Sequence, residues 1–302
     1  MARPIPRLAP VTSAIGFDMS VDTMYQAREP QQSRCLVRGV ELALYEWPGE
    51  GPLVVLCHAT SFHARCWNRV MARLPGRKVI ALDFRGHGQS AKPDPPYRWR
   101  DFGEDLAALL VSRQISNAIG AGHSMGGHAL ALAAAMVPNA FRSLLLLDPV
   151  VLPQSSYGKA QECLDFVLRR RNHWRSSEEM YQRFVDRPPF RTWDRAVLRD
   201  YCEYALNGSE LACPPAVEAS IYANSAAADA DIHAELCNIQ AAVRVVRSGK
   251  AYSYGLFEGS PTDPGLAAHV VRGTDMVLRD LSHFIPMEAP NLVAELILDS
   301  SR

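Results

Sequence analysis

The stretch "GHSMGG", residues 122 to 127, sets one hydroxyl, that of Ser124, between glycines two before and two after it. A serine hydroxyl is a poor nucleophile at neutral pH, so it does chemistry only beside a base and a group that holds the base. The flanks give the pattern its meaning. An apolar run, "NAIGAGHS", precedes the serine and an alanine-rich run, "MGGHALALAAAM", follows it. In that strand-to-helix setting, small residues permit a strained turn that lifts the hydroxyl above a sheet edge. A helix starting at Met125 also aims its N-terminal amides where negative charge develops in acyl transfer.

The elements that must hold this turn alternate along the chain. "VELALYEW" (40–47) alternates like a half-exposed strand, whereas "PLVVLCHAT" (52–60) is a continuous apolar run, as expected of a strand covered on both faces. Strand patterns follow at 77–86, 117–124 and 141–150, separated by helical patterns at 64–75, 100–114 and 125–137, the last stopped by Pro138. This order predicts an α/β fold with a mainly parallel central sheet, helices on both faces, and ligands at the carboxyl ends of the strands. From 151 to 240 the pattern becomes helical, with Met180, Tyr181, Phe184 and Val185 on one face and Val197, Leu198, Tyr201 and Ala205 on another. Strand patterns resume at 241–249 and 274–284, and "APNLVAELILDS" closes the chain as a helix. The organisation expected is an N-terminal arm over 1–33, a core over 34–150 and 241–302, and a helical lid over 151–240. Trp174, Trp193, Tyr181 and Phe190 of that insert are expected either to line an apolar pocket above Ser124 or to form the insert's own core.

Composition removes several functions. Lys plus Arg equals Asp plus Glu at 32 each, so the basic footprint of a nucleic-acid binder is absent. The densest basic stretch, Arg169, Arg170, Arg171 and Arg175, runs into Glu178 and Glu179 and reads as the solvated face of a helix. No apolar run has the length of a membrane span, and the N-terminus, with Arg3 and Arg7 before its first acid at Asp18, lacks the order of a secretory signal. Seven scattered cysteines do not make a disulfide framework, which predicts reduced thiols and a cytoplasmic location. Cys57, His58, His63 and Cys66 lack the spacing of a zinc finger or ribbon, so no metal is expected. "GAGHSMG" has Met125 where a dinucleotide fingerprint needs its third glycine, and no cofactor is called for. "SYGK" (156–159) fits a Ser-x-x-Lys pattern short enough to arise by chance.

Four passages, "CHATSFHARCW", "DFRGHGQS", "GHSMGG" and "SHFIPMEAP", occur in an order that resembles the α/β-hydrolase family from residue 40 to 302. The resemblance implies the α/β-hydrolase fold with a helical lid inserted after strand 6. It implies Ser124 as nucleophile, His283 as base because the family's histidine follows the last strand, and the amides of Thr60 and Met125 as oxyanion donors. His58 and His123 are then assigned to loop packing and His87 to the "RGHG" turn. There are two departures. His58-Ala59 stands where the family has His-Gly, and the strand at 241–249 is followed by no carboxylate until Glu258, with Asp263 further on. Asp275 and Asp280 belong to the last strand pattern. One strand back, Asp148 ends "LLLLDPV", 24 residues beyond Ser124. Neighbouring strands lie about 4.8 Å apart, a shift that a loop-borne histidine can follow. Asp148 is therefore the expected acid, with Glu258 and Asp263 as alternatives.

The expected activity is hydrolysis of an ester or related small-molecule acyl substrate by a serine hydrolase, with the oligomeric state left open. The alternatives are a carbon–carbon bond hydrolase of aromatic breakdown and a receptor-like member that binds a small ligand.

Overall fold

The computed structural model describes residues 29–158, 165–250 and 259–300. Strands β1 (Gln31–Val37), β2 (Val40–Trp47) and β3 (Glu50–Cys57) lead into a 3-10 turn at Ala64–Trp67 and helix α1 (Asn68–Met71). Then come β4 (Arg77–Leu82), α2 (Trp99–Ser112), β5 (Ala118–His123), α3 (Met125–Met136) and β6 (Phe141–Leu147). The segment that follows holds α4 (Asp165–Leu168), α5 (Ser177–Phe184), α6 (Arg195–Tyr204), a small hairpin of β7 (Leu206–Asn207) and β8 (Glu210–Leu211), α7 (Pro215–Ala223) and α8 (His233–Leu236). Strands β9 (Ala242–Ser248) and β10 (Gly273–Leu278) return to the sheet before α9 (Ile285–Glu288) and α10 (Pro290–Asp299).

The main sheet has eight strands in the order β1-β2-β4-β3-β5-β6-β9-β10. β2 pairs antiparallel with both neighbours, and the run from β4 to β10 is parallel. Parallel strands need cover on both faces, and two apolar clusters supply it. On one face Trp99, Phe102 and Leu106 of α2 pack with Ala129 to Ala133 of α3. On the other, Val70 of α1, Ile285 of α9 and Val293 of α10 do the same. Helix α3 lies at the centre of the first layer and is buried along nearly its whole length, which its apolar residues on every side require. No helix among the described residues is long and apolar enough to cross a membrane.

The register fixes the level at which chemistry-bearing residues emerge. His123 pairs with Leu147, and Leu147 pairs with Val246. Ser124 and Asp148 therefore leave adjacent strands side by side, with Ser248 at the same edge. The turn at Ser124 is possible only because its flanks are small. A Cβ on Gly122 would lie 2.5 Å from the Gly126 carbonyl oxygen, and one on Gly126 would run into the carbonyls of Cys57 and His58.

Two local readings of the sequence change. The arm expected over 1–33 gives way to strand at Gln31, which pairs with Glu46; residues 1–28 lie outside the described residues. The arginine cluster is not a uniformly solvated helix face, because α4 ends at Leu168. Arg169, Arg171 and Arg175 are exposed, but Arg170 turns inward to an ion pair with the buried Glu218.

Of the seven histidines buried among the described residues, five are His58, His63, His87, His123 and His128. Burial pushes each pKa below its ordinary 6.5, to about 4 for His63, His87 and His128, to about 3 for His123, and well down for His58. The unfolded chain binds protons near pH 6.5 that the folded rings refuse, so folding stability is full above that pH and falls as pH drops toward 4. Urea midpoints measured from about pH 7.5 to pH 5 are expected to fall steadily; a flat profile would contradict neutral burial. Gly122→Ala and Gly126→Ala are each expected to cost about 1–3 kcal/mol in the same assay, more than Gly259→Ala, where nothing lies within 4 Å of the new carbon and the backbone is not left-handed.

Candidate active site

Ser124 stands between β5 and α3 with φ 55° and ψ −120°, a conformation of the kind that side chains rarely adopt and that active sites retain. Asp148 (φ 44°) and Ser61 (φ 66°) share the left-handed region. The first two flank His283, which arrives on the loop after β10. Its Nε2 lies 3.0 Å from Ser124 Oγ and its Nδ1 lies 2.7 Å from Asp148 Oδ2. All three residues are buried. With Nδ1–H donated to the carboxylate, Nε2 presents a lone pair to the serine hydroxyl, the arrangement that lets an imidazole accept a proton from Oγ.

Asp148 is fully buried, and a bare carboxylate there would be strongly disfavoured. Four donors offset this. Ser248 N–H (2.8 Å) and Ser260 Oγ (2.5 Å) donate to Oδ1, while Ser248 Oγ (2.9 Å) and His283 donate to Oδ2. Burial pushes the carboxyl pKa up, but the bonds from His283, Ser260 and Ser248 outweigh it and hold the group below the usual carboxylate value. Sequence reasoning missed Ser248 and Ser260. The only signal for Ser248 is its place at the end of β9; Ser260 carries none.

The loop after β3 forms the opposite wall. His58 Nε2 accepts the Phe84 N–H at 3.0 Å while Nδ1 donates to the Ala59 carbonyl at 2.7 Å, and His87 Nε2 accepts the Ser61 N–H at 3.1 Å while Nδ1 donates to the Arg85 carbonyl at 2.9 Å. Both rings must be neutral to make these pairs, as their lowered pKa values allow. Asp83 fastens the same loop by accepting the Ala64 N–H at 2.7 Å. Thr60, held between these clamps, is buried and its Oγ1 has no hydrogen-bond partner among the described residues. Met125 opens α3, so its N–H has no acceptor within the helix. His123 donates from Nε2 to the His283 carbonyl at 2.7 Å, which ties the residue before the serine to the loop that carries His283.

Above these groups lies a cavity of about 930 Å³ that Ser124, His283 and Thr60 line. Trp174, Phe190 and Trp193 of the helical segment form part of its wall, with Phe62 from the loop after β3. Tyr181 does not; its ring packs under the Arg199 guanidinium at 4.0 Å. Arg183 and Arg187 also line the cavity. Their exposed side chains form no ion pair among the described residues, and nothing in the sequence distinguished them from other surface arginines.

The other candidate acids lie elsewhere. Asp263 faces His233 and His269, and Asp275 pairs with Arg247. Asp280 follows the end of β10, and Glu258 lies outside the described residues. His63 Nε2 donates to the Tyr201 carbonyl at 3.0 Å, away from His58.

Residues 54–296 match the family model of the alpha/beta hydrolase family. A 2-(acetamidomethylene)succinate hydrolase of Mesorhizobium japonicum is 37% identical over 101 residues, a stretch that spans 33% of this chain and only 36% of that relative. The crystal structure of an E-2-(acetamidomethylene)succinate hydrolase shares the fold with TM-score 0.72 at 21% identity, over 89% of this chain and 98% of the other. That of an N-formylmaleamic acid deformylase from Pseudomonas putida S16 does so with TM-score 0.66 at 20% identity, over 88% and 98%. With the eight-stranded sheet and the turn at Ser124 already described, a match over this much of the chain identifies it as a member of the alpha/beta hydrolase family.

Proposed function

We propose that this hydrolase cleaves a small acyl substrate, an ester or a related amide, through Ser124, His283 and Asp148. The observation that carries the reading is the single imidazole within hydrogen-bond distance of both a strained serine and a sealed carboxylate. As Ser124 Oγ attacks the acyl carbon, its proton passes to His283 Nε2, and Asp148 stabilises the imidazolium. The N–H groups of Met125 and Thr60 receive the oxyanion, and the unpartnered Thr60 hydroxyl adds a donor. His283 then protonates the leaving group and activates a water that releases the acid product. The six described cysteines are all free, in keeping with the reducing, cytoplasmic setting proposed for it.

In this reading residues 151–240 act as a lid, since Trp174, Phe190 and Trp193 close over the serine. The same segment brings Arg183 and Arg187 to the rim, which favours an acyl substrate bearing a carboxylate. The names of the two relatives compared above, with their succinate and maleamic acid substrates, agree with that preference.

Turnover of p-nitrophenyl esters and of N-acyl dicarboxylates tests the chemistry. Ser124→Ala is expected to abolish it and Asp148→Asn to lower it by about 10⁴-fold in protein that still folds, while Glu258→Gln leaves it within about twofold. Loss in Glu258→Gln with little change in Asp148→Asn would reassign the acid, and saturable binding without turnover would replace the enzyme by a receptor. For the rim, Arg183→Gln with Arg187→Gln is expected to raise KM about tenfold for carboxylate-bearing substrates and leave neutral esters unchanged, with kcat little altered for either. An equal change for both substrate types would remove the charge preference.

A further inference from the structure

We propose that His233, Asp263 and His269 form a binding site for a divalent transition-metal ion of the zinc type, apart from the cavity of Ser124. One donor atom from each residue lies within 4.8 Å of the others. They come from three separate places: His233 from α8, Asp263 from the loop between β9 and β10, and His269 from the 3-10 turn Leu266–His269 that precedes β10. Two imidazoles and one carboxylate make a ligand set suited to Zn²⁺, with room for a water as the fourth ligand.

The geometry is arranged from both sides. His233 Nδ1 donates to Asp231 Oδ1 at 2.6 Å, the outer carboxylate contact that fixes the tautomer of metal-binding histidines and raises their basicity. This sets His233 Nε2 facing Asp263 Oδ2, 3.4 Å away. A ring nitrogen and a carboxylate oxygen so placed can share a proton or take a metal ion between them. Ligands about 2.0–2.2 Å from a tetrahedral zinc ion sit about 3.3–3.6 Å from one another, a spacing this pair already has. His269 Nε2 is 4.0 Å from the same oxygen. Its half-exposed side chain has the freedom to close that gap.

Asp263 is held for the role. Its Oδ1 accepts the Gly265 N–H at 2.8 Å, which leaves Oδ2 facing the two rings. His233 is buried, Asp263 partly so and His269 exposed, an arrangement with a rigid floor and an open entry path. The carboxylates of Asp231 and Asp263 face the two ring nitrogens of His233. An ion here would tie the end of the helical segment to the loop whose Ser260 Oγ bonds Asp148 and whose Thr262 Oγ1 bonds the Pro149 carbonyl at 2.7 Å.

The test uses chelator-treated full-length protein and Zn²⁺ alone, followed by titration calorimetry and thermal melting. One ion per chain is expected, with a rise in Tm of about 5 °C when free Zn²⁺ stands about 100-fold above Kd. His269→Ala and Asp263→Asn, both at accessible positions, are expected to weaken binding at least tenfold and to abolish most of the Tm shift while keeping the wild-type fold by circular dichroism. Co²⁺ as a spectroscopic probe separates this site from the cysteines. Visible bands without a thiolate charge-transfer band support it, and thiolate bands that disappear in Cys237→Ser would move the ion elsewhere. The proposal is overturned if wild-type protein takes up less than about 0.2 equivalents, or if both variants bind as well as wild type.

Discussion

A negative charge at Asp148 in a place that water does not reach is the constraint around which the rest of this molecule is organised. An ionised carboxylate in that position survives only with its oxygens occupied. The structure meets the demand from three directions: a backbone and a side-chain donor at the end of β9, a hydroxyl from the following loop, and the imidazole of His283. The donors come from three separate stretches of chain, so this one small group links the end of β9, the loop after it and the loop after β10. The left-handed backbone at Asp148 is a strain that this network holds in place.

The opposite wall uses a different device. His58 and His87 act as neutral connectors, each accepting a backbone N–H on one nitrogen and donating to a carbonyl from the other. A carboxylate or an ammonium cannot do both. Burial keeps these rings uncharged, and this same burial makes the scaffold around Thr60 sensitive to acid. The loop that presents Thr60 is thus held from both sides by its backbone amides and carbonyls.

Much of this was legible in the sequence, and the reasons for the failures are physical. The turn at Ser124 is read from glycine spacing because a Cβ at Gly122 or Gly126 has no room. The place of Asp148 beside His283 was reached from the empty place after β9 and the direction of its own strand. Strand β1 escaped notice because "QQSRCLV" is an exposed edge with little apolar alternation. Arg170 was read with its neighbours as solvated because a run of charges does not show which member turns inward to Glu218. Ser248 and Ser260 are silent for a similar reason: a hydroxyl that accepts or donates one bond leaves no pattern. Of the insert's aromatic residues, Trp174, Phe190 and Trp193 reach the cavity and Tyr181 packs instead beneath Arg199, a division that helical periodicity does not resolve.

Placing the carboxylate at the end of β6 divides the labour along the chain in an unusual way. Ser124 and Asp148 leave adjacent strands of one short β5-α3-β6 unit, whose geometry is set by local pairing. Only His283 must be brought from far along the sequence. The segment after β9 is asked for hydroxyl donors in place of a charge, a requirement that serine, threonine or a backbone amide can meet. That region is accordingly less constrained in length and residue type than the paired strands, which hold Ser124 and Asp148 side by side.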